Sequence, residues 1–110
     1  MNPIGKIVRI IIDRPLGSQH PKHKNIVYPI HYGYAEGILG GDGEEQDVYL
    51  LGVDTPVSTF EGVVIAVLHR KNDCEDKWVV APIGQSFTDD EILAATHFQE
   101  QYFETELIRS

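Results

Sequence analysis

Apolar residues in this chain come mostly as short, β-branched runs with no helical rhythm. Ile7-Val8-Arg9-Ile10-Ile11-Ile12 reads as a strand, and Asp13-Arg14-Pro15-Leu16-Gly17-Ser18 closes it with turn chemistry. Ile26-Val27-Tyr28 begins a further extended piece before Pro29, and residues 48–52, 62–69 and 78–81 predict three more strands between Gly, Pro and acidic turns. Only the last quarter turns helical. Thr88-Asp89-Asp90-Glu91 has the spacing of a capping box, with acids over the positive end of the helix dipole, so a helix starts near Asp89. Ile92, Ala95, Phe98, Tyr102, Phe103 and Leu107 fall within one half of a helical wheel, which predicts one long helix with Glu100 and Glu104 on its other side. Short strands first and a helix last predict an α+β fold: a curled antiparallel sheet, a small OB-like β-barrel, with a C-terminal helix packed on it. The 110 residues leave room for a single domain, 1–110.

Charge narrows the function classes. Seventeen Asp and Glu against nine Lys and Arg give a formal charge of −8, which repels a phosphate backbone, so we expect no nucleic-acid partner. The longest apolar run, 63–68, is far too short to span a membrane, and Met1-Asn2-Pro3-Ile4-Gly5-Lys6 lacks the apolar centre of a signal peptide; the expected location is the cytoplasm. Cys74 is the single cysteine and sits among Asp73, Glu75 and Asp76, surroundings that disfavour a thiolate.

The candidate chemistry lies in the acids. Gly40-Gly41-Asp42-Gly43-Glu44-Glu45-Gln46-Asp47 packs four carboxylates into six residues of a Gly-rich turn, where they can converge without helical geometry. Mg²⁺ takes oxygen ligands, usually one or two carboxylates completed by waters and phosphate oxygens. A helix-loop-helix calcium site is excluded, because position 6 counted from Asp42 is Asp47 instead of glycine. A second acidic group, Asp73, Glu75 and Asp76, precedes Lys77 at the start of a predicted strand. Two such loops meeting at one rim, with a lysine and tyrosines beside them, would make a site for metal and phosphate. The plain alternative is a solvated acidic turn.

Tyr28-Pro29-Ile30-His31-Tyr32-Gly33-Tyr34 followed by Asp42-Gly43-Glu44-Glu45-Gln46-Asp47-Val48 resembles the soluble, Mg²⁺-dependent, barrel-type inorganic pyrophosphatases, whose pattern is YPxNYGY and then DGDPxDV. The resemblance continues through Glu75-Asp76-Lys77-Trp78-Val79-Val80-Ala81-Pro82 and reaches His97-Phe98-Gln99-Glu100-Gln101-Tyr102. It implies a pyrophosphatase-like barrel that hydrolyses pyrophosphate to two phosphates with Mg²⁺, or Mn²⁺ in its place, and that forms a homo-oligomer. By the same resemblance Asp42 and Asp47 are ligands of the metal, with Asp73 and Glu75 or Asp76 completing its shell. Glu44 takes the proton of the attacking water, and Tyr32 hydrogen-bonds near that water. Tyr28 lines the site, and Lys77 and Tyr102 contact phosphate.

The departures are specific. Between Asp13 and Tyr28 only residues 14–27 remain, where the family has a hairpin bearing a Lys, a Glu and an Arg. Asp13-Arg14-Pro15 stands either for an earlier Glu-x-Pro, with Lys22 or Lys24 replacing the hairpin lysine, or for a later Asp-Arg pair; Arg14 and Lys22 are thus the candidate phosphate-binding cations here. Glu44 replaces Asp, and its extra methylene moves the carboxylate by about 1.5 Å; misplacement on the order of 1 Å costs about 10²-fold in rate. Phe103 occupies the place of a phosphate-binding lysine, and His31 that of the Asn in YPxNYGY. These losses motivate a second reading, a metal- and phosphate-binding or protein-interaction module without turnover.

Overall fold

Alternation along each strand decides which side chains meet inside the sheet and which meet the helix. The computed structural model describes residues 2–71 and 75–110. In chain order the elements are β1 (Ile7–Arg14), β2 (His31–Leu39), β3 (Glu45–Leu50), β4 (Thr59–Arg70), β5 (Asp76–Ala81), α1 (Asp89–Glu100) and β6 (Thr105–Ile108). The hydrogen-bonded order β1-β2-β3-β5-β4 returns to β1 through a β1–β4 pairing, which closes a five-stranded barrel, and β6 extends the sheet from β4. All ladders are antiparallel except β3–β5.

Val8, Ile10, Ala35, Val48, Leu50, Val64 and Val80 fill the barrel. Their sequence neighbours point the other way: Tyr49, Leu51, Ala66, Leu68 and Val79 meet Ile92 of α1 in a second cluster, with Tyr32, Ala95 and Phe98 at its edge. Both faces of β3, β4 and β5 are therefore covered, which explains their near-continuous apolar runs. A register shift between Val64 and Ala66 sends Val64 into the barrel and Ala66 under the helix.

The helix begins as the spacing predicts. Thr88 Oγ1 accepts the Glu91 N–H at 3.1 Å, and the Glu91 carboxylate accepts the Thr88 N–H at 2.8 Å. Its end differs: α1 stops at Glu100, and 105–108, predicted as helix, forms β6 along the edge of β4. No glycine or proline marks this stop. Phe103 leaves the helical path to lie against the Arg70 guanidinium, and Leu107 pairs across β4 at Leu68. Glu100, expected on the outer side of the helix, is instead buried. The other unforeseen element is β2, which carries the tyrosine motif, whereas the extended piece at 26–28 makes only a single bridge, Gln19 with Val27.

His31 is buried and bridges two loops, accepting the Leu16 N–H at Nδ1 (3.1 Å) and donating from Nε2 to the Thr55 carbonyl (3.0 Å). Gly33 lies where β1 passes closest, since a Cβ there would stand 1.9 Å from the Ile11 carbonyl oxygen. Among the described residues no helix is long and apolar enough to cross a membrane.

Two substitutions separate backbone approach from capping. In urea denaturation, Gly33→Ala is expected to cost about 3 kcal/mol or more, because the backbone of β1 must move, and Thr88→Ala about 1 kcal/mol. Equal losses would contradict the close approach at Gly33.

Candidate active site

The parallel β3–β5 ladder builds the centre of the site. Val48 pairs with Trp78, which brings the preceding residues, Asp47 and Lys77, side by side. They share the helix-side direction of Tyr49 and Val79, so the site lies on the outer face of the barrel, partly under α1 and its flanking loops. The Lys77 side chain is only 4% exposed. Its Nζ donates to the Asp47 carboxylate, to Glu75 at 3.2 Å and to the Tyr32 hydroxyl at 3.1 Å, which uses all three ammonium protons. Burial works against its charge, but the Tyr32 oxygen and the Asp47 carboxylate outweigh it and hold the ammonium above its usual range. Burial also pushes the Tyr32 phenol up to about 12, so at neutral pH it serves as a neutral hydroxyl and not as a base.

The Gly-rich turn joins β2 to β3. Gly40 accepts the Gly43 N–H at 3.1 Å, Gly43 takes φ +83°, and the Asp42 carboxylate accepts the Glu44 N–H at 3.0 Å. That backbone donor is the main reason the Asp42 carboxyl sits below its ordinary value, with hydrogen bonding to Glu75 and the Lys77 charge adding to it. Buried Gln46 ties the two acidic segments together, donating to the Asp47 carbonyl at 3.0 Å and the Asp76 carbonyl at 2.7 Å. Asp42, Glu45, Asp47, Glu75 and Asp76 thereby line one small cavity of about 10 Å³, about the room of a single water. Asp76 also meets His69 at 2.7 Å.

Arg70 links this cavity to the helix. Nε and Nη2 donate to the two oxygens of Glu100 at 3.1 and 2.6 Å, and Nη1 donates to Glu75 at 3.3 Å. Its guanidinium carbon lies 3.7 Å from the centre of the Phe103 ring. Glu100 also accepts from Tyr49 at 2.6 Å and from Thr105 at 2.8 Å. Gln99 donates to the Tyr49 hydroxyl at 2.8 Å and accepts from Tyr28 at 3.3 Å. Sequence reasoning missed Arg70, Tyr49, Gln99 and Gln46, because nothing local to any of them marks a pairing across the sheet.

The candidate residues thus separate. Asp42, Asp47, Glu75, Asp76, Lys77 and Tyr32 come together. Asp73 lies outside the described residues. Glu44 and Glu45 are both exposed, and of the two only Glu45 lines the acidic cavity. Tyr28 is buried, with its ring edge-on to Phe98 and its hydroxyl on Gln99. Arg14 ends β1 and pairs with Tyr32, Lys22 is exposed in the loop after β1, and Tyr102, 63% exposed, lines a separate and larger cavity.

The donors suit a hard divalent cation, being carboxylate oxygens with Asp42 and Glu75 in direct contact, a pair of like groups that a cation or a proton must reconcile. Among the described residues no three acids or histidines converge closely enough to enclose an ion. A set this sparse would leave most positions around such an ion to other ligands.

The fold is that of the inorganic pyrophosphatases. The enzyme from Neisseria gonorrhoeae superposes with a TM-score of 0.65 at 22% identity, over 89% of this chain and 74% of its own. That from Ehrlichia chaffeensis gives 0.66 at 20%, over 96% and 86%, and that from Thermus thermophilus 0.61 at 16%, over 97% and 84%. At these identities the likeness is one of fold. No protein-family model matches the sequence, and a search among curated proteins finds no match.

The Arg70–Glu100 pair has a pH signature. Burial alone would raise the Glu100 carboxyl, but hydrogen bonds from Arg70, Tyr49 and Thr105 bring it below the ordinary glutamate value. A depressed carboxyl contributes its full stability above the unfolded value and loses it as pH falls through the folded one. Glu100→Gln should therefore cost about 3–5 kcal/mol at pH 7, with a deficit that narrows as pH falls past the ordinary glutamate value and through the lower folded one. A deficit that stays constant down to the acid limit would contradict the pairing.

Proposed function

We propose that the protein hydrolyses a phosphoanhydride, inorganic pyrophosphate first, on the face that carries Asp42, Asp47, Glu75 and Lys77. The observation that carries this reading is a buried ammonium held between two carboxylates beside a five-carboxylate cavity, on a fold shared with pyrophosphatases. One or two carboxylates at a time from among Asp42, Asp47, Glu75 and Asp76 would hold Mg²⁺, or Mn²⁺ in its place, with other ligands completing its shell. When bound, such an ion supplies Lewis-acid polarisation and a more acidic water.

The chain's own groups do the rest. In the overall change a water oxygen bonds to one phosphorus, the bridging P–O bond breaks, and two phosphates form. Asp42, oriented by the Glu44 N–H, presents its charge towards Glu75. Lys77, held by Asp47 and Glu75, would offer positive charge for the departing phosphate. Tyr32 keeps its proton and hydrogen-bonds where the water approaches. Glu44 is the proton acceptor that the motif assigns, and Glu45, which lines the cavity, is its competitor. Arg14, Lys22, Tyr28 and Tyr102 belong to the phosphate side of the same reading. The protein would work as a cytosolic homo-oligomer. A binding module without turnover is the second reading, favoured by the full engagement of Lys77 and by Phe103 lying against Arg70.

Initial rates of orthophosphate release from pyrophosphate with Mg²⁺ test the roles. Asp42→Ala and Asp47→Ala are each expected to lower kcat/KM by about 10²-fold or more, with circular dichroism unchanged. Glu44→Gln is expected to lower kcat more than Glu45→Gln; the reverse order would move the proton acceptor to Glu45. Wild-type release that survives both aspartate substitutions would sink the assignment.

A further inference from the structure

The backbone ties of β3 give out where its acids begin. Its ladder with β2 slips between the pairs Tyr34–Asp47 and Leu39–Glu45, and its ladder with β5 is in register from Val48 and Trp78 onward. Gln46 stands at this mouth between Glu45 and Asp47, and it is only 5% exposed although the turn before it is open to solvent. Its Nε2 donates to the Asp47 carbonyl at 3.0 Å and to the Asp76 carbonyl at 2.7 Å. An amide nitrogen carries two protons, and these bonds use both. A side chain thereby does what the ladder does further along, fastening the start of β3 to the start of β5.

Its surroundings fix which way the amide faces. Backbone carbonyls only accept, so Nε2 must meet them, and Oε1 turns towards Gly40, where a Cβ would stand 3.2 Å from it and 3.4 Å from the Asp42 Oδ1. Gln46 thus adjoins all three stretches that carry the acids: the turn at 40–42, Asp47 on β3 and Asp76 on β5. Asp76 is held twice, its carboxylate by His69 and its carbonyl by Gln46. Like charges this close repel, so the two acidic segments part unless something holds them. The cavity they share is about 10 Å³. A shift of about 1 Å in one wall of so small a space exceeds the tolerance of a metal–oxygen bond, about 0.2 Å.

We propose that Gln46 is a positioning residue for the divalent cation: its amide holds the Asp47 and Asp76 backbones at the separation from which carboxylates of both acidic segments reach one ion. This role rests on the cation site of the proposed function, and not on turnover. Groups that hold a metal's ligands from behind set affinity by fixing where the ligands stand, and losing one costs about 10–100-fold in affinity or activity. Gln46 suits the task because it is neutral, adding nothing to the repulsion among the acids and no cation to compete with the ion. A methionine in its place has nearly the same length and fills the same space, but it withdraws a donor from each carbonyl.

The test is Mn²⁺ binding to the whole chain without substrate, read from the electron paramagnetic resonance of the free ion, beside the Mg²⁺ dependence of phosphate release from pyrophosphate. Gln46→Met should weaken Mn²⁺ binding about 10-fold or more. It should raise the Mg²⁺ needed for half-maximal release by a similar factor, with a smaller fall in kcat at saturating Mg²⁺. Gln46→Asn keeps the amide but withdraws it by about 1.5 Å, and should fall between wild type and Gln46→Met; if Gln46→Met does not fold, it carries the comparison alone. Thr88→Ala, which loosens the helix start where Glu91 is the partner, should leave Mn²⁺ affinity within about 2-fold. Weaker Mn²⁺ binding in the Gln46 variants with no release by wild type would support the positioning role and refute the hydrolase reading. Release by wild type with Mn²⁺ affinity unchanged in a folded Gln46 variant, or lowered equally in Thr88→Ala, would overturn the positioning role alone. Wild type that binds no Mn²⁺ would overturn it together with the cation site.

Discussion

The site depends on one alternating chain of charges, Glu100, Arg70, Glu75, Lys77 and Asp47. Removing a charge from water costs several kcal/mol unless a partner and hydrogen bonds replace its hydration, and here each inner member has a partner on both sides. Arg70 and Lys77, both with side chains 5% exposed or less, are kept charged on a face that is otherwise hydrocarbon. The chain also fixes distance: Glu75 cannot leave the neighbourhood of Asp42 while Arg70 and Lys77 both hold it. Among the described residues no buried side-chain polar atom lacks a partner. A ligand reaching Arg70 or Lys77 would therefore have to replace an internal partner.

Barrel and helix serve this chain in different ways. The parallel pairing of β3 and β5 sets Asp47 against Lys77. The register shift in β4 turns Ala66 and Leu68 towards the helix, and Arg70, at the end of the same strand, reaches Glu100. The helix delivers that carboxylate because it ends there. Had it run on to Leu107, as the wheel suggests, β6 would be missing from the edge of β4 and Thr105 would not reach Glu100.

Features written in local chemistry were legible in the sequence. The strands around Ile7, Val48, Gly62 and Trp78, the Thr88 cap and the make-up of a small curled sheet with one helix follow from short-range pattern and element order, while closure rests on the distant β1–β4 pairing. Likewise, the acids of the Gly-rich turn and Lys77 stand together because each opens or precedes a strand whose pairing the fold dictates. What escaped depends on distant pairing. Glu100 looks like any outward helical acid until Arg70, thirty positions earlier, is placed under it. The helix stop has no glycine or proline, since β4 supplies the competing edge. Glu45 lines the cavity and Glu44 does not because the turn at Gly43 decides which way successive acids point, and motif matching alone carries no such information.

On the proposed function the charge chain would hold cation and phosphate together, and the central claim is that the two end in bond cleavage. Phosphorus NMR of pyrophosphate with the wild-type protein reads this directly, because it separates binding from conversion. The account predicts that the pyrophosphate resonance gives way to orthophosphate with Mg²⁺ present and persists when the ion is chelated. A pyrophosphate resonance that shifts or broadens with Mg²⁺ and protein but never converts would contradict it.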